Sequence, residues 1–208
     1  MRTRIKICGI TRPEDAEIAA RLGVDAIGLV FHDPSPRVID ESRAARIVAA
    51  LPPFVHAVAL FVDAPAERIR GVIEHLRIDL LQFHGDEAPD YCRGFGLPYI
   101  KAIRMRPGVD LKAQAQRYGD AAALLLDTYR KGVPGGTGAT FAWQSLPPDL
   151  GIPVMLAGGL DPDNVAAAIR IVRPYGVDVS GGVESSGGIK DESRMRAFVK
   201  GVARADGE

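Results

Sequence analysis

Two residues in this sequence carry side chains able to work as a proton-transfer pair, Cys8 and Asp127. Cys8 ends the apolar run Arg4–Cys8, beside Gly9, where its thiol can point into a cleft. A thiolate there would serve as a base if its pKa were lowered. Asp127 ends the run Ala122–Leu126 and is followed by a glycine-rich stretch that is slow to start a helix. A partly desolvated carboxyl group at such a place can hold its proton and act as an acid. Taken singly, both have duller readings. A buried cysteine is more often an inert small hydrophobe, and an aspartate after a strand is more often a cap. Cys92, within Asp90–Phe95, is read as structural.

The glycines supply a context for the pair. Ala157-Gly158-Gly159-Leu160 and Ser180-Gly181-Gly182-Val183-Glu184 each follow a short apolar run, and Gly135-Gly136-Thr137-Gly138 follows another. One such cluster is a tight turn. Three after consecutive strands point to main-chain N–H groups around a phosphate, because glycine lets backbone approach an anion closely. Arg37 lies in a loop stiffened by Pro34 and Pro36, and a fixed guanidinium suits a bidentate grip on a carboxylate; a solvated loop arginine is the equal alternative on spacing alone. His84 is either a proton-transfer group or a hydrogen-bonded strand-end histidine, and the second reading is favoured.

These residues need a frame that gathers them. Apolar runs alternate with amphipathic ones: Arg4–Cys8, Ala26–Phe31, Val55–Val62, Leu80–Phe83, Tyr99–Ile103, Ala122–Leu126, Val154–Ala157 and Val177–Val179 read as strands. Between and after them Pro13–Leu22, Glu41–Leu51, Pro65–Leu76, Glu87–Arg93, Val109–Gln116, Phe141–Leu146, Asp161–Arg173 and Glu192–Val202 read as helices, with Thr11 and Asp161 as N-caps. The strands are continuously apolar, as expected when both faces are covered. Eight strand–helix units of about 26 residues each imply an α/β protein, a single (βα)8 TIM barrel of eight parallel strands inside a ring of helices, as one domain over residues 1–208. An open doubly wound sheet is the alternative. In a barrel, strands one and six are not neighbours, so Cys8 and Asp127 would face one another across the C-terminal mouth. The loops after strands seven and eight are a usual phosphate site.

Composition bounds the partners. The chain has 208 residues, 47% hydrophobic and 25% charged, and Lys plus Arg equals Asp plus Glu. That balance argues against a broad nucleic-acid or membrane-surface footprint. The two cysteines have no metal-ligand spacing and suit free thiols in a reducing compartment. Neither a spanning segment nor a signal h-region is apparent, so the expected location is cytoplasmic.

The motifs in order resemble phosphoribosylanthranilate isomerase, the barrel enzyme family of tryptophan biosynthesis, over essentially the whole chain. Lys6-Ile7-Cys8-Gly9-Ile10-Thr11, Ser35-Pro36-Arg37, Gln82-Phe83-His84-Gly85, Leu125-Leu126-Asp127, Gly135-Gly136-Thr137-Gly138, Ala157-Gly158-Gly159-Leu160 and Gly182-Val183-Glu184-Ser185-Ser186 carry the resemblance. It implies Cys8 as general base, Asp127 as general acid, and Arg37 on the anthranilate carboxylate. It also implies His84 in the substrate site and the backbone of Gly158, Gly159, Gly181, Gly182 and Val183 around the phosphate. The implied reaction is an Amadori rearrangement of a phosphorylated sugar–anthranilate substrate without metal or cofactor, in a monomer or homodimer. The chain departs from the family's pattern at Ala139 and Ala142, where Lys and Asp are common, at Gly181 in place of Ser, and at Gly187 in place of Pro. A related barrel isomerase of histidine biosynthesis would carry Asp at the end of strand one, where this chain has Cys8. A barrel that only binds a phosphate ligand, without turnover, is the reading from another class.

Overall fold

The computed structural model describes residues 2–128, 146–147 and 149–207. The strands are β1 (Arg4–Cys8), β2 (Ala26–Val30), β3 (His56–Phe61), β4 (Leu80–Phe83), β5 (Tyr99–Met105), β6 (Ala123–Thr128), β7 (Val154–Ala157) and β8 (Gly176–Val179). They close into a barrel in sequence order, and every neighbouring pair is parallel, with β8 returning to β1. Outside lie α1 (Pro13–Arg21), α2 (Glu41–Ala49), α3 (Ala66–His75), α4 (Pro89–Cys92), α5 (Leu111–Arg117), α6 (Val165–Val172) and α7 (Glu192–Asp206). The open doubly wound sheet is therefore excluded.

Strand side chains alternate between two faces, and the two faces differ in chemistry. Ile5, Ile7, Ile27, Leu29, Phe61 and Leu126 belong to the large core shared with the helices. Each such side chain, fully buried, contributes about 1.5–3 kcal/mol. The other face fills the barrel interior with two smaller clusters. Ile100, Ala102, Ala123, Leu125, Met155 and Ala157 pack on one side, and Cys8, Val30 and Leu60 on the other. Lys6 and Cys8 share the inner face of β1. Arg104 and Asp127 share it on β5 and β6, where their Cα atoms are register partners.

Some boundaries differ from expectation, for local reasons. β5 and β6 run two residues further than the apolar pattern, so Arg104 and Asp127 lie within strands rather than after them. The ladder continues through polar residues because their backbone still pairs. Thr11 does not cap α1. The N-cap is Arg12, without a side-chain cap, and Thr11 Oγ1 instead donates to the Gly188 carbonyl. α6 starts at Val165, not at Asp161. The Asp161 carboxylate accepts from the amides of Asp163 and Asn164 and holds the residues between as a turn. α7 continues to Asp206, whose carboxylate accepts from the Thr3 amide and hydroxyl and ties the two ends of the chain together.

A short turn of 3-10 helix, Gly181–Val183, and an antiparallel hairpin, β9 (Glu184–Ser186) with β10 (Ile189–Lys190), follow β8 and were not foreseen. The helix expected over Phe141–Leu146 and the run Gly135-Gly136-Thr137-Gly138 with Ala139 and Ala142 lie outside the described residues, apart from Leu146. Among the described residues, no helix is long and apolar enough to cross a membrane.

Candidate active site

Cys8 ends β1 and turns inward. It is 6% exposed, and its register partner on β2 is Gly28. A Cβ placed on Gly28 would lie 2.7 Å from Cys8 Sγ and 3.0 Å from Lys6 Nζ. The bare glycine thus makes the space that the thiol and the ammonium occupy. Lys6 is 1% exposed and pairs with Asp178 on β8, Nζ to Oδ1, at 2.9 Å. Burial opposes charge on both partners and raises the Asp178 carboxyl. Even so, at this separation the ammonium is held above lysine's ordinary value by Asp178 and Cys8. Burial pushes the Cys8 thiol up; Lys6 and Lys190 pull the other way, and Asp178 adds to the rise.

Asp127 stands on β6 with its carboxylate in the mouth. His84, just past β4, approaches it with Nε2 3.0 Å from Oδ2. β5 lies between β4 and β6, so this contact crosses the width of a strand on the inner side of the barrel. The other ring nitrogen of His84, Nδ1, is 3.1 Å from Gln82 Nε2. His84 is held in place from the outer layer too. Lys101, on the outward face of β5, donates to the Gly85 carbonyl at 2.5 Å and to Glu87 at 3.0 Å. Glu87 in turn accepts from the Gly85 amide. Arg104 Nη2 donates to the His84 carbonyl at 3.1 Å.

Arg37 reaches over the other side of the same rim, beside Gly9 and Gly181. A Cβ on Gly9 would come within 2.3 Å of its Cδ, and one on Gly181 within 3.3 Å of its Nη2. Its guanidinium makes a bidentate pair with Glu184, Nε–Oε1 and Nη2–Oε2 both at 2.7 Å. Glu184 also accepts from Lys190 at 2.7 Å. Burial alone would raise the Glu184 carboxyl; hydrogen bonds from Arg37 and Lys190 outweigh it and hold that group below its ordinary value. Arg37 is therefore anchored to an internal carboxylate in this state, a bond that its loop position did not disclose.

The glycine clusters after β7 and β8 meet. A Cβ on Gly182 would lie 2.0 Å from the Leu160 carbonyl oxygen, so the two loops touch backbone to backbone. Gly158 and Gly159 take φ of 80° and 72°, the left-handed region that glycine enters at little cost. Gly181–Val183 form one turn of 3-10 helix, whose first N–H groups have no partner within the turn.

The sequence-predicted residues thus form two groups on one rim: His84 with Asp127, and Cys8 near Arg37 and the β8 loop. Lys6, Asp178, Glu184 and Lys190 were missed as site residues. The signal for Lys6 and Asp178 was present, since a charge inside a strand covered on both faces is anomalous. Cys92 is buried apart from this rim, and burial pushes its thiol up to about 11.

A closed parallel barrel with its titratable groups collected at the C-terminal mouth defines the class, a (βα)8-barrel enzyme. The family model for N-(5'phosphoribosyl)anthranilate (PRA) isomerase matches residues 5–201. The N-(5'-phosphoribosyl)anthranilate isomerase of Pseudomonas aeruginosa (strain UCBPP-PA14) is 59% identical over 199 residues, covering 96% of this chain and 94% of that protein. That of Nitrosococcus oceani is 55% identical over 202 residues, covering 97% and 98%. The crystal structure of phosphoribosyl anthranilate isomerase from Thermotoga maritima superposes with a TM-score of 0.90 at 39% identity, covering 97% of this chain and 99% of that one. A phosphoribosyl anthranilate isomerase in complex with reduced 1-(o-carboxyphenylamino)-1-deoxyribulose 5-phosphate reaches 0.86 at 37% identity, with the same coverage. The chain belongs to the N-(5'-phosphoribosyl)anthranilate isomerase family. As a member it is an isomerase of the aldose–ketose type, serving tryptophan biosynthesis.

Proposed function

We propose that Cys8 and Asp127 are the base and the acid that carry N-(5'-phosphoribosyl)anthranilate through its Amadori rearrangement to 1-(2-carboxyphenylamino)-1-deoxyribulose 5-phosphate. The observation that supports this most is their placement on β1 and β6, both facing the mouth of one closed barrel. The touching glycine loops after β7 and β8 would hold the phosphate through Gly158, Gly159, Gly181, Gly182 and Val183. Arg37, beside Gly9 and Gly181, would take the anthranilate carboxylate. For that it either offers its remaining N–H edge or exchanges Glu184, which keeps Lys190 as a partner.

In this reading Asp127 gives its proton to the ribose ring oxygen. The C1–O bond breaks, and the nitrogen lone pair forms a C1=N iminium. Cys8 as thiolate removes the proton at C2. The C2–H electrons become a C1=C2 bond, and the iminium π pair returns to nitrogen. The enolamine then loses its O2 proton and gains one at C1, leaving a ketone at C2. C1 is reduced, C2 is oxidised, and the atoms balance within one molecule. His84 would sit against the sugar and orient Asp127.

The test is turnover of the purified protein with this substrate, beside Cys8→Ser and Asp127→Asn. Loss of turnover in both variants, with the fold intact, supports the pair. Retained turnover in both overturns it. Saturable binding without turnover in the unaltered protein would favour a binding barrel instead. The expected cytoplasmic location goes with this reading. The assembly expected with this reading is a monomer or a homodimer, and Phe54, 96% exposed, is the apolar side chain at which a second copy is tested.

A further inference from the structure

We propose that the Lys6 ammonium is the counter-charge of the Cys8 thiolate, anchored beside it by Asp178. The proposal rests on the reading of Cys8 as base and adds a positioning residue to it. Lys6 and Cys8 are two residues apart on one inner strand face, so both enter the barrel. Lys6 is the register partner of Asp178, and their side chains meet at 2.9 Å. Cys8 is the register partner of Gly28, and Sγ and Lys6 Nζ both lie within 3.0 Å of the point where a side chain on Gly28 would begin. The strand thus sets sulfur and ammonium over one gap that only glycine leaves open.

A buried ion pair is a poor way to fill a core, because apolar residues of similar size are often as stable or better. The placement of Lys6 has a purpose if the barrel must hold a negative sulfur. Val30 on β2 and Leu60 on β3 pack with Cys8 as apolar neighbours. The other charges facing Cys8 are Lys190 on β10, Arg37 after β2, and Asp178 itself. Lys190 and Arg37 are both bonded to Glu184. Lys6 is therefore the cation that β1 itself delivers to the thiol, and Asp178 opposes it in sign while holding it in position.

Those opposite signs make the test. The thiolate is followed by its ultraviolet absorbance against pH in the ligand-free protein, as the difference between each protein and its Cys8→Ser counterpart, which cancels Cys92. Lys6→Met should move the midpoint up by about one to three pH units, the range for one close charge. Asp178→Asn should move it down. A purely structural pair would not shift the midpoint in opposite directions. Coincident midpoints in the three proteins overturn the proposal. Should Lys6→Met fail to fold, Asp178→Asn decides alone, and a midpoint unmoved or raised there overturns it. The acid limb of kcat/KM separates the two layers of the argument. If absorbance midpoints shift as expected and that limb moves with them, both hold. If the midpoints shift and the limb stays, the counter-charge stands and Cys8 is not the base.

Discussion

His84 Nε2 lies 3.0 Å from Asp127 Oδ2, a bond made across β5 through the barrel mouth. The other ring nitrogen of His84, Nδ1, lies 3.1 Å from the Gln82 side-chain amide, so the imidazole is held at both ends. The contact between Nε2 and Oδ2 ties the Asp127 carboxyl group to a ring that is itself fixed. His84 thereby fixes the rotamer of Asp127 from a neighbouring loop that Lys101 and Glu87 hold rigid. Replacing it with alanine should lower kcat by about 10–100-fold, the cost of a mispositioned group, with a smaller change in KM. Steady-state kinetics of His84→Ala checks this, and an unchanged kcat would remove His84 from the site.

Cys8→Ser and Asp127→Asn should each reduce kcat by about 10²–10⁴-fold, the usual contribution of a general acid or base. KM should change little, because neither residue is assigned to phosphate or carboxylate binding. Combining the two should cost less than the product of the single losses, since residues that act as a unit are not additive. A double variant no slower than either single one would also fit a unit, whereas multiplicative losses would argue for separate roles.

Glu184 gives the protein an acid-sensitive joint. Its carboxyl is held below the ordinary value in the folded protein by Arg37 and Lys190. A depressed folded pKa adds stability that is fully present above the unfolded value, about 4.3 for Glu, and that is lost as pH falls through the folded value. Glu184→Gln should therefore lower the melting temperature at neutral pH, and the gap to the unaltered protein should close as the pH falls below about 4. Thermal melts of both proteins across that range test it. A gap that stays constant would show that the ion pair contributes nothing.

Two glycines of the β7 and β8 loops separate contact from conformation. Gly182→Ala would drive a Cβ to 2.0 Å from the Leu160 carbonyl, where only backbone can yield. It should cost about 1–3 kcal/mol of stability and raise KM as the two loops part. Gly159→Ala has nothing within 4 Å and a φ of 72°. It should cost about 1 kcal/mol through backbone strain alone, with KM the sensitive readout if its amide meets the phosphate. Equal effects at both positions would contradict this division.

Phe54→Asp addresses assembly. In a homodimer that uses this exposed ring, the substitution should halve the mass measured by light scattering. A monomeric unaltered protein would end the homodimer reading outright.

Periodicity determined the class. Continuously apolar runs alternating with amphipathic ones point to parallel strands covered on both faces, and the pairing of β8 with β1 then decided for a closed barrel over an open doubly wound sheet. The same local information located Cys8, Asp127, His84 and the glycine clusters after β7 and β8 on one rim, because each stands at or near the end of an apolar run. Alternation along β1 also put Lys6 on the face of Cys8, although its charge inside a strand was not read as a signal.

What needed the tertiary structure was every relation between strands. Register set Lys6 against Asp178, 172 residues away in sequence, and Gly28 against Cys8. Barrel closure brought His84 to Asp127 past β5. The hairpin after β8 delivered Glu184 to Arg37, 147 residues distant. Such pairings depend on how strands align and how far loops reach, and no short window of sequence encodes either. The local pattern decides which face a side chain takes; the closed barrel decides what it meets there.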